Sequence, residues 1–245
     1  MSAAERTKRM AETSPRFMAR MAGVFYLMDF AFAPAMFAGS KFVVPGDAAV
    51  TATNMLAHES LFRLGFAGNM IALATYIAVT ALFYELFKPV NRTISLLAAF
   101  FGLAGCVIIA VSCVFYVAPF LVLGGSSHYF SAFTVEQSQA LALLFFKLYS
   151  QGFGVSFVFF GFYCLLIGYL IFRSRFMPRF LGVGMAIAGL GGLTFLSPPL
   201  VHYLFPFIML GGIGEGALMV WLLVFGVNEQ RWKEQASAAA ASIWK

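Results

Sequence analysis

Six stretches of this chain are almost uninterruptedly apolar over about 20 residues or more, the length that carries an α-helix across a bilayer core. They run approximately over 21–39, 62–87, 94–123, 146–172, 178–196 and 204–227. Between them stand residues that suit turns and spoil helices: Pro45-Gly46, Pro89-Val90-Asn91, Gly124-Gly125-Ser126-Ser127 and Ser197-Pro198-Pro199. The pattern predicts an all-α membrane protein, a six-span transmembrane helical bundle. Two further helix starts are legible. Asp47 is placed to cap a short helix leading into the second span, on which Glu59 and Arg63 stand four apart. Thr134-Val135-Glu136-Gln137 reads as a capping box. A helix from there to Phe172 is about 57 Å long, against a hydrocarbon core of roughly 30 Å. Its first turns are expected to project from the membrane or to break, with a bend at Gln151-Gly152-Phe153-Gly154.

Composition narrows the class. Of 245 residues 61% are hydrophobic and 11% charged, and 30 are Phe, whereas soluble domains carry about 25% charged residues. The mean hydropathy is +0.87. A soluble enzyme, a nucleic-acid-binding module and a disordered chain are all excluded, and three Cys are too few for a disulfide scaffold.

Charge sets the expected orientation. Thirteen of the 16 Lys and Arg fall on one side of the predicted spans: the arm with Arg6, Lys8, Arg9, Arg16 and Arg20, the Lys88–Arg92 connection, the Arg173–Arg179 connection, and the tail. Only Lys41, Arg63 and Lys147 fall on the other side. The positive-inside rule makes the first side cytoplasmic, with both termini there. The formal charge of +6 then speaks for an anionic leaflet surface and not for nucleic acid. The expected organisation is a basic cytoplasmic arm over 1–20, a six-helix transmembrane domain over 21–228 and a cytoplasmic tail over 229–245. Ala31-Phe32-Ala33 has the look of a signal cleavage site, but Asp29 interrupts the apolar run, so an uncleaved first span is expected.

A shift of 87 residues lays 61–125 on 148–212 without gaps and pairs Gly65 with Gly152, Tyr76 with Tyr163 and Gly102 with Gly189. Chains rich in Phe, Leu and Gly also match themselves by accident, so the duplication stays open.

Several segments resemble the bacterial membrane family known as domain of unknown function 4386. They are Arg20-Met21-Ala22-Gly23 to Tyr26-Leu27, Val44-Pro45-Gly46-Asp47 through Asn54 to Arg63-Leu64-Gly65, Lys88-Pro89-Val90-Asn91-Arg92, Gly161 to Leu170 with Arg173-Ser174, and Gly214-Glu215 to Asn228. The resemblance spans about 16–228. It implies a six-span protein of the bacterial plasma (inner) membrane and supplies no activity and no functional residues.

Candidate chemistry lies with polar groups where hydrocarbon makes them costly. Asp29 and Glu215 are predicted near mid-membrane on the first and sixth spans, and intramembrane carboxylates mark ion pathways, proton relays or substrate cavities by default. The bland alternative is a carboxyl that pins helices together. Glu215 stands in Gly211-Gly212-Ile213-Gly214-Glu215-Gly216, which fits an unwound cavity-lining segment or close packing through small residues. Arg63 and Lys147 are predicted at the outer rim, with Asn69 and Gln151 just below it as substrate- or ion-binding candidates. His58, His128 and His202 are weak outer-face metal candidates, since no pair has a helix-borne ligand spacing. No metal, no catalytic residue and no cofactor is otherwise indicated. Cys106, Cys113 and Cys164 are expected to act as small hydrophobes. Three readings follow: a carrier for a small solute or proton, a non-catalytic membrane partner or sensor, and an intramembrane enzyme acting on a lipophilic compound. The expected partners are the lipid bilayer and a small solute or proton; a homo-oligomer is left open.

Overall fold

A computed structural model describes residues 14–124 and 132–242, and every regular element among them is helical. α1 spans Pro15–Phe32 and passes into 3₁₀ turns at Ala33–Phe37 and Ser40–Phe42. The change falls at Pro34, which lacks the N–H that would continue the α-helical ladder. Next come α2 (Ala48–Ala57), α3 (Glu59–Phe87), α4 (Arg92–Leu123), α5 (Val135–Arg173) and α6 (Arg179–Leu193). A 3₁₀ turn at Thr194–Leu196 and the short α7 (Pro198–Tyr203) lead into α8 (Phe205–Val224), and α9 (Glu229–Ser242) closes the described chain. Among the described residues, five helices are long and apolar enough to cross a membrane. Ile208–Val224 makes a sixth when taken with Glu229–Ala241, from which it is bent by 102°.

The helix ends follow local chemistry. The Val50 amide donates to Asp47 Oδ1 at 2.9 Å, so Asp47 caps α2 as its side chain predicts. The Thr134 amide donates to Gln137 Oε1 at 2.9 Å and the Gln137 amide to Thr134 Oγ1 at 3.3 Å, a reciprocal capping box at the start of α5. Glu59 and Arg63 pair at 2.6 Å, and Glu85 pairs with Lys88. Gly226, at φ +65°, ends α8, with the amides of Phe225 and Gly226 both donating to the Trp221 carbonyl. The Asn228 side chain then accepts from the Arg231 amide at 3.0 Å and starts α9.

Two local expectations need correction. α5 runs unbroken through Gln151-Gly152-Phe153-Gly154, with no interruption there. α8 runs unbroken through Gly211–Gly216, so the glycine cluster is not an unwound segment. Trp232 is 8% exposed, and its Nε1 donates to the Leu86 carbonyl at 2.9 Å, strapping α9 to the end of α3. Trp244 lies outside the described residues.

The contacts divide the chain into two units. One holds Tyr76–Ala104 with the described parts of Met1–Leu27 and Phe157–Lys245; the other holds Met28–Thr75 and the described part of Gly105–Ser156. In the first unit, glycines let backbones touch. A Cβ on Gly168 would lie 2.8 Å from the Gly182 carbonyl oxygen, and one on Gly214 would lie 2.6 Å from that of Gly184, so α6 is gripped by α5 and α8. The second unit is packed by rings. Phe62 meets Tyr116 at 5.5 Å, Phe120 at 5.4 Å and Phe146 at 6.2 Å between centroids.

The 87-residue match has unlike local form at its far end. Tyr116–Phe120 lies inside the continuous α4, whereas 203–207 straddles the α7–α8 junction.

Candidate functional site

Glu215 sits on α8 one residue after Gly214, the residue that lets α8 touch α6. Both of its carboxylate oxygens have partners. Tyr26 of α1 donates its hydroxyl to Oε2 at 2.8 Å, and Cys164 of α5 presents Sγ to Oε1 at 3.5 Å. Three helices far apart in sequence therefore converge on one titratable group. A tyrosine hydroxyl inside an apolar environment needs a hydrogen-bond partner, and Glu215 supplies one for Tyr26. Behind it stands a set of buried rings: Tyr26 meets Tyr76 edge-on at 6.1 Å and Phe83 at 6.2 Å, and Tyr76 meets Tyr163 at 5.7 Å and Phe160 at 4.8 Å. Tyr26, Cys164 and Tyr163 are 1–2% exposed, while Glu215 keeps part of its surface open. This arrangement can hold a carboxyl in a fixed orientation and can pass a proton to or from it.

Sequence reasoning singled out Glu215 and missed its partners. Cys164 is not merely a small hydrophobe, because its thiol is directed at a carboxylate. The available signal was the tyrosines: Tyr26, Tyr76 and Tyr163 each lie within an apolar run, where a hydroxyl without a partner is costly.

The other candidates separate. Asp29 is buried, at 9% exposure, in the second unit and lies within electrostatic range of Cys106. Asn69 is wholly buried in that unit. Gln151 and Lys147 are exposed, so they do not accompany Asn69 inside the protein. Arg63 is exposed and paired with Glu59. His58 is exposed, stacked on the Phe42 ring at 4.2 Å, with Nδ1 2.9 Å from the Asn54 carbonyl oxygen. His202 is exposed beside Tyr203, and His128 lies outside the described residues. Among the described residues, no group of three His, Cys, Asp or Glu could hold a metal ion.

Around the α8–α9 bend, the Asn228 amide donates to the Phe176 carbonyl at 3.2 Å, and Arg231 reaches the Arg175 carbonyl at 3.4 Å. The Ser14 hydroxyl beside Glu229 holds that carboxyl below the usual range.

Long apolar helices, gripped through small residues and carrying a partnered carboxylate, define a multi-pass helical membrane protein. The chain belongs to the family described as domain of unknown function (DUF4386), whose model matches residues 21–226. It is also similar to an uncharacterized protein of Archaeoglobus fulgidus, 24% identical over 162 residues, which cover 65% of this chain and 82% of that protein. No solved structure matches.

Proposed function

We propose that this protein is a six-span carrier of the bacterial plasma membrane that moves a small solute or protons, with Glu215 as the group that loads and releases a proton. One observation carries the reading: a carboxylate on an apolar helix is held by a hydroxyl and a thiol from two other helices. Intramembrane carboxylates are costly to retain and mark conduction paths by default. Both partners can donate to the ionised form, and a protonated carboxyl can itself donate, so the cluster accommodates either state.

The six-span count rests on α8. Its 20 residues give about 30 Å at 1.5 Å per residue, the thickness of the hydrocarbon core. α9 is polar and turns away by 102°, so it belongs to the aqueous side. Six spans bring both ends of the chain to one face, and the basic residues of that face make it cytoplasmic. No cofactor enters this reading.

The test is proton flux in vesicles loaded with a pH-reporting dye, comparing the parent with Glu215→Gln. Gln keeps the shape and a hydrogen-bonding amide but cannot titrate. The carrier reading expects flux to fall at least tenfold with folding unchanged. Equal flux from an equally stable variant makes Glu215 a structural pin and leaves the membrane-partner reading in its place.

A further inference from the structure

We propose that Asn69, Tyr116 and Tyr149 hold an internal water molecule that ties α3 to α4 and α5. The proposal stands independently of the carrier reading. Asn69 and Tyr116 are each 0% exposed. The amide oxygen of Asn69 and the hydroxyl of Tyr116 have no hydrogen-bond partner among the described residues, and the Asn69 amide nitrogen makes no hydrogen bond of normal geometry, its polar neighbour being the Tyr149 hydroxyl. Buried polar atoms are nearly always satisfied, and an orphaned one points to a bound water or ion. Three such atoms belong to these two residues.

Their proximity follows from the helices. Gly65 and Asn69 are four apart on α3 and share a face, with about 5–6 Å between Cβ positions at that spacing. Tyr116 points its hydroxyl at Gly65, so closely that a Cβ there would lie 2.5 Å from it. That places the hydroxyl on the same face of α3 as the Asn69 amide, and polar groups too far apart for a direct bond are commonly joined by a water. On the far side, the Tyr149 hydroxyl faces the Asn69 amide, but its proton is committed to the Met36 carbonyl at 2.9 Å. Its oxygen can still accept.

The surroundings fix the kind of ligand. It must accept from the Asn69 amide nitrogen, donate to the Asn69 oxygen, and bond a phenol hydroxyl. A water molecule does all three. The ring of Tyr116 is packed against Tyr149 at 4.8 Å, Phe62 at 5.5 Å and Phe146 at 6.1 Å, a close aromatic surround that favours a ligand as small as water. These neighbours bring no formal charge to balance an ion.

Thermal unfolding of the full chain in detergent tests this with Tyr116→Phe, Asn69→Leu and the double variant. A hydroxyl bonded to water loses a favourable contact when removed, whereas a truly orphaned one is better absent. Each single variant is expected to lower Tm by about 2–4 °C. The double variant is expected to fall short of the sum, because one water serves both groups. A Tyr116→Phe protein with unchanged or raised Tm overturns the proposal, as does strict additivity. Should Asn69→Leu fail to assemble, infrared difference spectra of parent and Tyr116→Phe in ordinary and oxygen-18 water decide. The parent is expected to show an isotope-shifted band of bound water that Tyr116→Phe lacks. A parent without that band overturns the proposal.

Discussion

Glu215 owes its place to other residues' shapes more than to its own. Without the bare backbone of Gly214 against Gly184, α8 could not approach α6 closely enough to bring the carboxylate within 2.8 Å of Tyr26. Tyr26→Phe deletes that hydrogen bond while keeping the ring contacts to Tyr76 and Phe83. The expected cost is about 1–2 kcal/mol, read by thermal unfolding in detergent. A Glu215→Gln background should reduce it, since the two groups form one interaction. The carboxylates and Asn69 were legible in sequence because charge and amide stand out in an apolar run. Their partners were not. Tyr and Cys also serve as ordinary apolar fillers, and only the fold reveals which hydroxyl or thiol turns toward a polar group.

Individual helices were largely readable, and the reasons are local. Asp47 and Thr134 with Gln137 cap through their own side chains, so the signal lies within four residues. What escaped reading depends on distant partners. The Gly211–Gly216 run left two readings open, an unwound segment, since each Gly weakens an isolated helix by about 1 kcal/mol, or close packing through small residues. The close approach to α6 holds it helical instead. Gly214→Val is therefore expected to destabilise by about 1–3 kcal/mol through overpacking against the Gly184 carbonyl. Gly212→Ala, which meets nothing within 4 Å, should be neutral or slightly stabilising. Paired melting curves of the two variants check this. The Trp232 strap was not legible for the same reason: its Leu86 partner is 146 positions away. Trp232→Ala should cost about 3 kcal/mol locally. It should speed amide exchange in α9 while leaving α3 and α4 protected, as hydrogen exchange with mass spectrometry would record.

For the whole molecule, alternation of apolar runs and turns was enough to read an all-helical membrane class, and the charge distribution was enough to propose an orientation. The single-cysteine variants Thr53→Cys, Thr93→Cys and Ser237→Cys, on α2, at the start of α4 and on α9, test that orientation. With both ends cytoplasmic, an impermeant maleimide added to intact cells should label position 53 and spare 93 and 237, and inverted vesicles should reverse the pattern. The carrier reading makes a harder demand, that water reaches the Glu215 cluster during the working cycle. The chain holds its own reporter for this in Cys164, 2% exposed and 3.5 Å from the carboxylate. The decisive measurement is the rate at which a small charged thiol reagent modifies Cys164 in proteoliposomes, with Cys106 and Cys113 replaced by Ala. A carrier opens the cluster to one aqueous face, so Cys164 should react steadily and proton flux should fall in step with the modification. If Cys164 stays unmodified in the folded protein for hours yet reacts fully once unfolded in detergent, no aqueous path serves Glu215 and the account of it as a proton-loading group is contradicted.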